Sequence, residues 1–152
     1  MNGARISGHA IHPVAIVFPL ALLAANVALD AHGLVTGRPR FAEAATFCLG
    51  AGAIAGIPAS ILGALDWLAY RRGSKPGRLA TRHGLVNLGL LAAMTLAWLL
   101  RHDHAKSLPT APALLLGLAA VAIAAYGFFL GWTLAEGRQG PGAAAPVSSL
   151  SR

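Results

Sequence analysis

Long stretches without charged residues divide this chain of 152 residues into four hydrophobic segments. The uncharged stretches cover residues 6–29, 44–65, 83–100 and 107–135, and they are 24, 22, 18 and 29 residues long. A membrane-spanning helix needs roughly 17 to 25 apolar residues, because the hydrocarbon layer is about 30 Å thick. The pattern therefore predicts an all-α integral membrane protein with four helices, at about residues 9–30, 42–70, 81–100 and 109–135.

The connections between the four hydrophobic segments are short. Short connections make consecutive helices antiparallel neighbours, so we expect an up-down-up-down four-helix bundle formed by one domain, residues 1–136. Residues 137–152 consist mainly of Gly, Pro, Ala and Ser. Such a segment cannot bury an apolar core, and we expect it to be a disordered tail.

Composition agrees with a membrane protein, since 56% of the residues are hydrophobic and only 11% are charged. Soluble proteins carry about 25% charged residues. The net charge of +7 does not indicate nucleic-acid binding, because five cations are concentrated in one short segment between two hydrophobic stretches: Arg71, Arg72, Lys75, Arg78 and Arg82. By the positive-inside rule this segment and both termini are predicted to lie in the cytoplasm; the bacterial inner membrane is the location implied by the family resemblance described below.

Small residues spaced four apart occur on the second and fourth helices. Gly52 and Gly56 form one pair, and Gly127 and Gly131 form another. Such pairs allow two helix backbones to approach closely in lipid, so they predict helix contacts within the bundle or between copies of the chain. Asn26 is expected to form an interhelical hydrogen bond. The segment 101–104, by contrast, is predicted to be a solvated loop.

Polar residues recur near the ends of three predicted helices on the side of the basic segment. His9 and His12 begin the first helix, Asp66 lies near the end of the second, and His83 begins the third, with Asn87 one turn deeper on the same face. The antiparallel topology brings these residues to a similar depth. Ionisable groups are costly to bury in a membrane, and they indicate a functional site there.

The order of these motifs resembles a bacterial membrane family known as domain of unknown function 2231. The resemblance covers about residues 8–135, and it differs at Ala10, where the family usually has proline. Some members of that family are joined to Rieske iron–sulfur domains, which implies redox chemistry and a redox partner protein. The motifs that carry the resemblance are Gly8-His9-Ala10-Ile11-His12-Pro13, Phe18-Pro19, Gly63-Ala64-Leu65-Asp66-Trp67, His83-Gly84-Leu85-Val86-Asn87-Leu88 and Gly131-Trp132.

Three hypotheses compete for this polar cluster. In the first, His9 or His12 and His83 are the axial ligands of haem b, which a helix bundle can hold between facing helices. In the second, His9, His12, Asp66 and His83 bind zinc or iron, with Asn87 supporting a ligand. In the third, the cluster is a structural hydrogen-bonded network or a proton site in which Asp66 pairs with His83.

The haem hypothesis also predicts how the rest of the pocket is formed. Small residues at Gly8, Gly63 and Gly84 would leave room for the porphyrin, and Arg78 or Arg82 would contact its propionates. The competing class is a structural or assembly protein without a cofactor. A conventional enzyme is not expected, because the sequence contains no Walker loop, dinucleotide fingerprint or nucleophile elbow.

Overall fold

Four long α-helices account for most of this computed structural model, which describes the backbone of residues 5–6, 9–10 and 12–139 and the side chains of residues 14–136. The helices are α1 (His12–Thr36), α2 (Pro39–Leu68), α3 (Lys75–Leu99) and α4 (Ala111–Gln139). A 3₁₀ turn, His102–His104, lies between α3 and α4. Before α1, the two-residue strands β1 (Arg5–Ile6) and β2 (His9–Ala10) pair in antiparallel fashion.

Each helix is long and apolar enough to cross a membrane. The helices contain 25, 30, 25 and 29 residues, whereas about 20 suffice for the hydrocarbon layer. Large apolar side chains point outward from all four helices, and examples are Val17, Phe47, Leu85 and Phe129. A surface of this kind is stable against lipid and not against water. The predicted all-α four-helix membrane bundle is confirmed.

The helices are arranged around the bundle in chain order. α1 packs most closely on α2 and α3 on α4, while α2 also packs on α3 and α1 meets α4 over a smaller area. α1 and α3 therefore lie diagonally across the bundle. We call the end that carries residues 71–82 the basic end, and the end that carries residues 36–39 and 100–110 the opposite end.

The largest cluster of buried apolar residues lies between the middle of the bundle and the opposite end. Its centre is close to Gly52, where a Cβ atom would lie only 2.8 Å from Met94 Cε and 3.2 Å from Leu22 Cβ. Glycine at this position allows α2 to approach both α1 and α3, as the spacing of Gly52 and Gly56 predicts. The buried members of the cluster are Leu23, Leu49, Ala53, Leu90, Met94, Ala97 and Ala120.

Two helices are longer than the sequence predicts. α1 continues to Thr36, so that Asp30, expected at its exit, lies within the helix. α3 begins at Lys75 rather than near residue 81, because the Ser74 hydroxyl accepts a hydrogen bond from Gly77 N at 3.1 Å and caps the helix. Pro76 in the first turn is compatible with this start.

The ends of the chain lie largely beyond the described residues. α4 extends to Gln139, so the segment predicted to be disordered includes the last residues of a helix. Residues 140–152 lie outside the part of the chain that the structure describes. The side chains of His9 and His12 lie outside it as well, although the backbone of His12 begins α1.

Candidate functional site

Both imidazole nitrogens of His83 are hydrogen-bonded, one to α4 and the other within α3. Its Nδ1 lies 3.0 Å from the backbone carbonyl oxygen of Gly127 on α4. Its Nε2 lies 2.9 Å from Nδ2 of Asn87, one turn further along α3. The ring is half-buried near the basic end of the bundle. The side chains that the sequence places on one face of α3 are thus in direct contact.

These two hydrogen bonds determine the tautomer of His83. A backbone carbonyl can only accept, so Nδ1 must carry the proton and donate it to Gly127. The lone pair of Nε2 then accepts from the amide of Asn87. In this tautomer Nε2 is the nitrogen with the lone pair, and that lone pair is used in the hydrogen bond from Asn87.

Two glycines on α4 make room for this pair of side chains. A Cβ atom at Gly131 would lie 3.0 Å from His83 Cε1, and one at Gly127 would lie 3.1 Å from Asn87 Oδ1. Both distances are shorter than ordinary van der Waals contact. The spacing of four residues on α4 therefore matches the spacing of His83 and Asn87 on α3. The small-residue pair of α4 packs against polar side chains of its neighbour.

Asp66 lies near the same depth as His83. The indole Nε1 of Trp67 donates to the Thr81 hydroxyl at 2.9 Å, which brings the end of α2 level with the start of α3. Among the described residues, none donates a hydrogen bond to the Asp66 carboxylate, and the described contacts of His83 are with Asn87 and Gly127. Asp66 and His83 thus form no hydrogen bond with each other among the described contacts, and their pairing in the third hypothesis stays a prediction.

The backbone places the start of α1 at the depth of His83. Gly52 is close to both Leu22 and Met94, so those three residues share one depth. A helix rises about 1.5 Å per residue, which puts His12 about 15 Å from Leu22 and His83 about 16 Å from Met94, both toward the basic end. His12 and His83 thus lie at a similar depth on diagonally opposed helices.

Metal ligands do not gather among the side chains described by the structure. Within residues 14–136, no three His, Cys, Asp or Glu side chains are close enough together to hold a metal ion. The proposed metal set of His9, His12, Asp66 and His83 includes two side chains outside this range. The described part of that set contributes only Asp66 and His83, which is fewer than three ligands.

A second polar cluster, which the sequence does not predict, lies at the opposite end. Arg101 forms a bidentate ion pair with Asp30: Nη1 lies 2.6 Å from Oδ2, and Nη2 lies 2.7 Å from Oδ1. Arg101 Nη2 also donates to the carbonyl of Ala42 on α2 at 3.3 Å. The two charged side chains are only 5% and 8% exposed. Arg101 is therefore a buried residue that joins α1, α2 and the end of α3, and the prediction of a solvated loop position is wrong.

Asn26 extends this buried cluster by one turn along α1. Its Nδ2 donates to the carbonyl of Ala45 on α2 at 3.1 Å and to Asp30 Oδ2 at 3.3 Å. The interhelical hydrogen bond expected for Asn26 is confirmed. Its Oδ1 is buried and has no hydrogen-bond partner among the described residues. The signal that could have revealed this cluster is the presence of Asn26 and Asp30 four residues apart on a helix that is otherwise apolar.

The two clusters differ in what they can do chemically. In the Asp30–Arg101 pair, both carboxylate oxygens are hydrogen-bonded and the charges compensate each other, which is typical of a structural element. His83 presents a nitrogen lone pair whose ring is oriented by a backbone hydrogen bond. That orientation is typical of imidazoles that ligate a metal. The candidate functional site is accordingly the cluster around His83 at the basic end.

Comparison with known proteins identifies the family of this chain. A family model described as "Predicted membrane protein (DUF2231)" matches residues 8–140. No curated protein and no solved structure is similar enough to match the chain. The match spans all four helices and includes the cluster around His83, so this chain belongs to the DUF2231 family of predicted membrane proteins.

Proposed function

We propose that this membrane protein binds haem b at its basic end and serves as a redox accessory, with His83 as one axial ligand. The observation that carries the proposal is the hydrogen bond from His83 Nδ1 to the carbonyl of Gly127. Ligating histidines almost always donate their other ring N–H to a carbonyl or carboxylate, which fixes the ring and makes the ligating nitrogen more basic. The same bond leaves Nε2 of His83 as the coordinating atom.

The surroundings of His83 offer fewer ligands than a bare metal ion needs. Gly127 and Gly131 already pack against Asn87 and His83, so the open surface beside His83 lies at Gly84 on α3, where a Cβ would have nothing within 4 Å. Three ligands for a bare metal ion do not gather among the described side chains. A haem needs only one histidine from each side of its plane.

The second axial ligand in this proposal is His12, with His9 as the alternative. The helix geometry that brings His12 to the depth of His83 supports the choice. The two helices are diagonal in the bundle, so residues of α1 and α3 together would hold the group. Haem b in such a site supplies one-electron transfer, while the protein sets the potential through its ligands and hydrogen bonds. Electron exchange with a partner protein would then take place at the basic end.

A second function is favoured by a different contact. Asn87 Nδ2 lies 2.9 Å from Nε2 of His83, so the lone pair that would bind iron is used within the protein. In this alternative, His83 and Asn87 form a clamp between α3 and α4, and the protein is a structural or assembly component. Iron binding would require the Asn87 amide to move away from Nε2, which breaks a side-chain hydrogen bond within α3 worth about 1 kcal/mol.

The experiment is an absorption spectrum of the full chain purified in mild detergent, first oxidised and then reduced with dithionite, with metal analysis of the same sample. For haem b we expect a Soret band that sharpens on reduction. His83→Ala should abolish the band. Asn87→Ala removes the group that competes for Nε2, and it should keep or increase the haem content.

His102→Ala is the matched control, since this histidine is exposed at the opposite end and should leave the spectrum unchanged. A colourless protein in which His83→Ala and Asn87→Ala both lower the unfolding temperature would support the structural clamp. Stoichiometric zinc or iron without a Soret band would support a metal site instead. A Soret band of full intensity in His83→Ala would reject His83 as a ligand.

A further inference from the structure

One face of α3 presents a continuous row of exposed residues. The row follows spacings of three and four residues, which place side chains on the same side of a helix. It begins with three cations at the basic end and continues with apolar and small residues toward the opposite end. Its members, all exposed, are Lys75, Arg78, Arg82, Leu85, Gly89, Ala92, Leu96 and Leu99.

The cations of this row carry uncompensated positive charge. Arg71 and Arg72 in the preceding turn are exposed as well, which brings five cations together. Among the described residues, no Asp or Glu side chain forms an ion pair with any of the five; the described ion pairs are at the opposite end. Arg78 is held in place by a hydrogen bond from Nη1 to the carbonyl of Gly73 at 2.6 Å. The basic end therefore has an ordered surface that attracts anions.

The depth of these cations matches the headgroup layer of a bilayer. Trp67, whose indole donates to Thr81, marks the interface, where tryptophan is enriched. Arg82 follows Thr81 directly. Lys75 lies six residues before Thr81, which places it about 9 Å from Thr81 in the direction of water, at about 1.5 Å per residue. The headgroup region on each side of the hydrocarbon is about 5 to 8 Å thick. The charged part of the row thus spans the layer where lipid phosphates lie.

The apolar part of the row continues at the depth of the acyl chains. Leu85 is 64% exposed, and a Cβ atom at Gly89 would have no neighbour within 4 Å. Gly89 and Ala92 form a shallow depression between Leu85 and Leu96. A lipid tail that enters from the headgroup layer can lie along this depression, and van der Waals contact of this kind drives association in membranes.

From this combination we propose that the exposed row of α3 binds an anionic phospholipid of the leaflet at the basic end. Arg78 and Arg82 would contact its phosphodiester, and an acyl chain would lie over Gly89. The order of charge and apolar surface along one helix face matches the order of headgroup and tail in a phospholipid. A nucleic acid or a soluble acidic protein would use the cations alone. Arg78 and Arg82 are exposed on a row that faces away from the interior of the bundle. We therefore assign them to lipid rather than to haem propionates, and lipid binding at this row does not require haem.

The test is native mass spectrometry of the full chain released from nanodiscs that contain equal amounts of phosphatidylglycerol and phosphatidylcholine. We expect the protein to retain phosphatidylglycerol selectively. A basic residue near an anionic surface contributes about a fivefold change in affinity, so the triple variant Lys75→Gln, Arg78→Gln, Arg82→Gln should lose selectivity on the order of a hundredfold. Gly89→Leu, which fills the depression, should reduce retention while the charges remain.

The matched control replaces Arg38 and Arg40, two exposed cations at the opposite end, with Gln, and it should retain phosphatidylglycerol as the unchanged chain does. Circular dichroism of each variant establishes that the helices are intact. Equal retention of both lipids by the unchanged chain, or undiminished selectivity in the triple variant, would overturn the proposal. A dimer that excludes lipid and dissociates on Gly89→Leu would show that a second copy covers this face, and would overturn it too.

Discussion

Arg101 donates hydrogen bonds to both carboxylate oxygens of Asp30, although the two residues are 71 positions apart in the chain. The pair joins the ends of α1 and α3, which lie diagonally across the bundle. The additional bond from Arg101 to the carbonyl of Ala42 includes α2 in the same cluster. Three of the four helices are thus fixed relative to one another by a single guanidinium group.

Removing one partner of this ion pair should destabilise the bundle strongly. Arg101→Met leaves the Asp30 carboxylate buried without its partner, and we expect a loss of about 3 to 5 kcal/mol in the free energy of unfolding. The double variant Asp30→Leu, Arg101→Met removes both charges and should recover most of this loss. The measurement is unfolding by SDS titration in mixed micelles, followed by far-UV circular dichroism.

Arg38→Met serves as the control for the ion pair, because Arg38 is exposed at the same end of the bundle and should change stability by less than about 0.5 kcal/mol. Additive losses in the double variant would contradict the coupling of Asp30 and Arg101.

Substitutions of Asn26 test whether the buried cluster tolerates a second negative charge. Asn26→Leu removes the hydrogen bonds to Ala45 and Asp30 and should cost about 1 to 2 kcal/mol. Asn26→Asp places a second carboxylate beside Asp30, with only Arg101 to compensate both, and should cost clearly more. The same SDS titration distinguishes the two variants. If Asn26→Asp were as stable as the unchanged chain, the cluster would have to take up a proton or a second cation.

A larger side chain at Gly131 should separate α4 from His83. The nearest ring atom is 3.0 Å from where a Cβ would lie, so Gly131→Leu displaces the imidazole and breaks its bonds to Gly127 and Asn87. We expect a loss of about 1 to 2 kcal/mol in stability. Nitrogen-15 NMR of labelled histidine should show that His83 no longer has one tautomer. Gly89→Leu, on open surface of α3, is the control and should affect neither measurement.

Substitution of Gly50 should also destabilise the protein, because this glycine packs directly against a side chain of α3. A Cβ atom there would lie 2.6 Å from the indole nitrogen of Trp98, so Gly50→Ala forces the ring of α3 away from α2. Overpacking of this kind costs about 1 to 3 kcal/mol, as measured by thermal unfolding in detergent. Gly89→Ala meets no neighbour and should be neutral or slightly stabilising, since alanine favours helix. Equal unfolding temperatures for the two variants would contradict the close approach.

The sequence predicts the four spans because lipid leaves few alternatives for a long uncharged stretch. A charged residue at the border of such a stretch, however, is predicted to lie at the surface. Arg101 follows residues 83–100 and was therefore expected in solvent. It is buried because α1 continues to Thr36 and carries Asp30 into the bundle, where the guanidinium finds its partner. The length of a helix beyond the hydrophobic stretch is set by tertiary contacts, which the pattern of one segment does not contain.

In the candidate site too, contacts within one helix follow from the sequence, whereas contacts between helices do not. That His83 and Asn87 share a face follows from their spacing of four residues on α3. That this face meets Gly127 and Gly131 depends on the rotation of α4, which is apolar on all sides and gives no indication of which side is buried. The relation of Asp66 to His83 likewise depends on rotation, and similar depth alone does not bring them into contact.

Between the His83 cluster and the Asp30–Arg101 cluster lies the apolar core formed by Leu23, Leu49, Leu90 and Met94. The two clusters are 18 residues apart on α3, or about 27 Å along its axis. This separation is a barrier to protons, because the described members of the core are apolar. Under the proposed function, a proton exchanged at His83 would therefore enter and leave on the basic side. The bundle is in this sense one-sided.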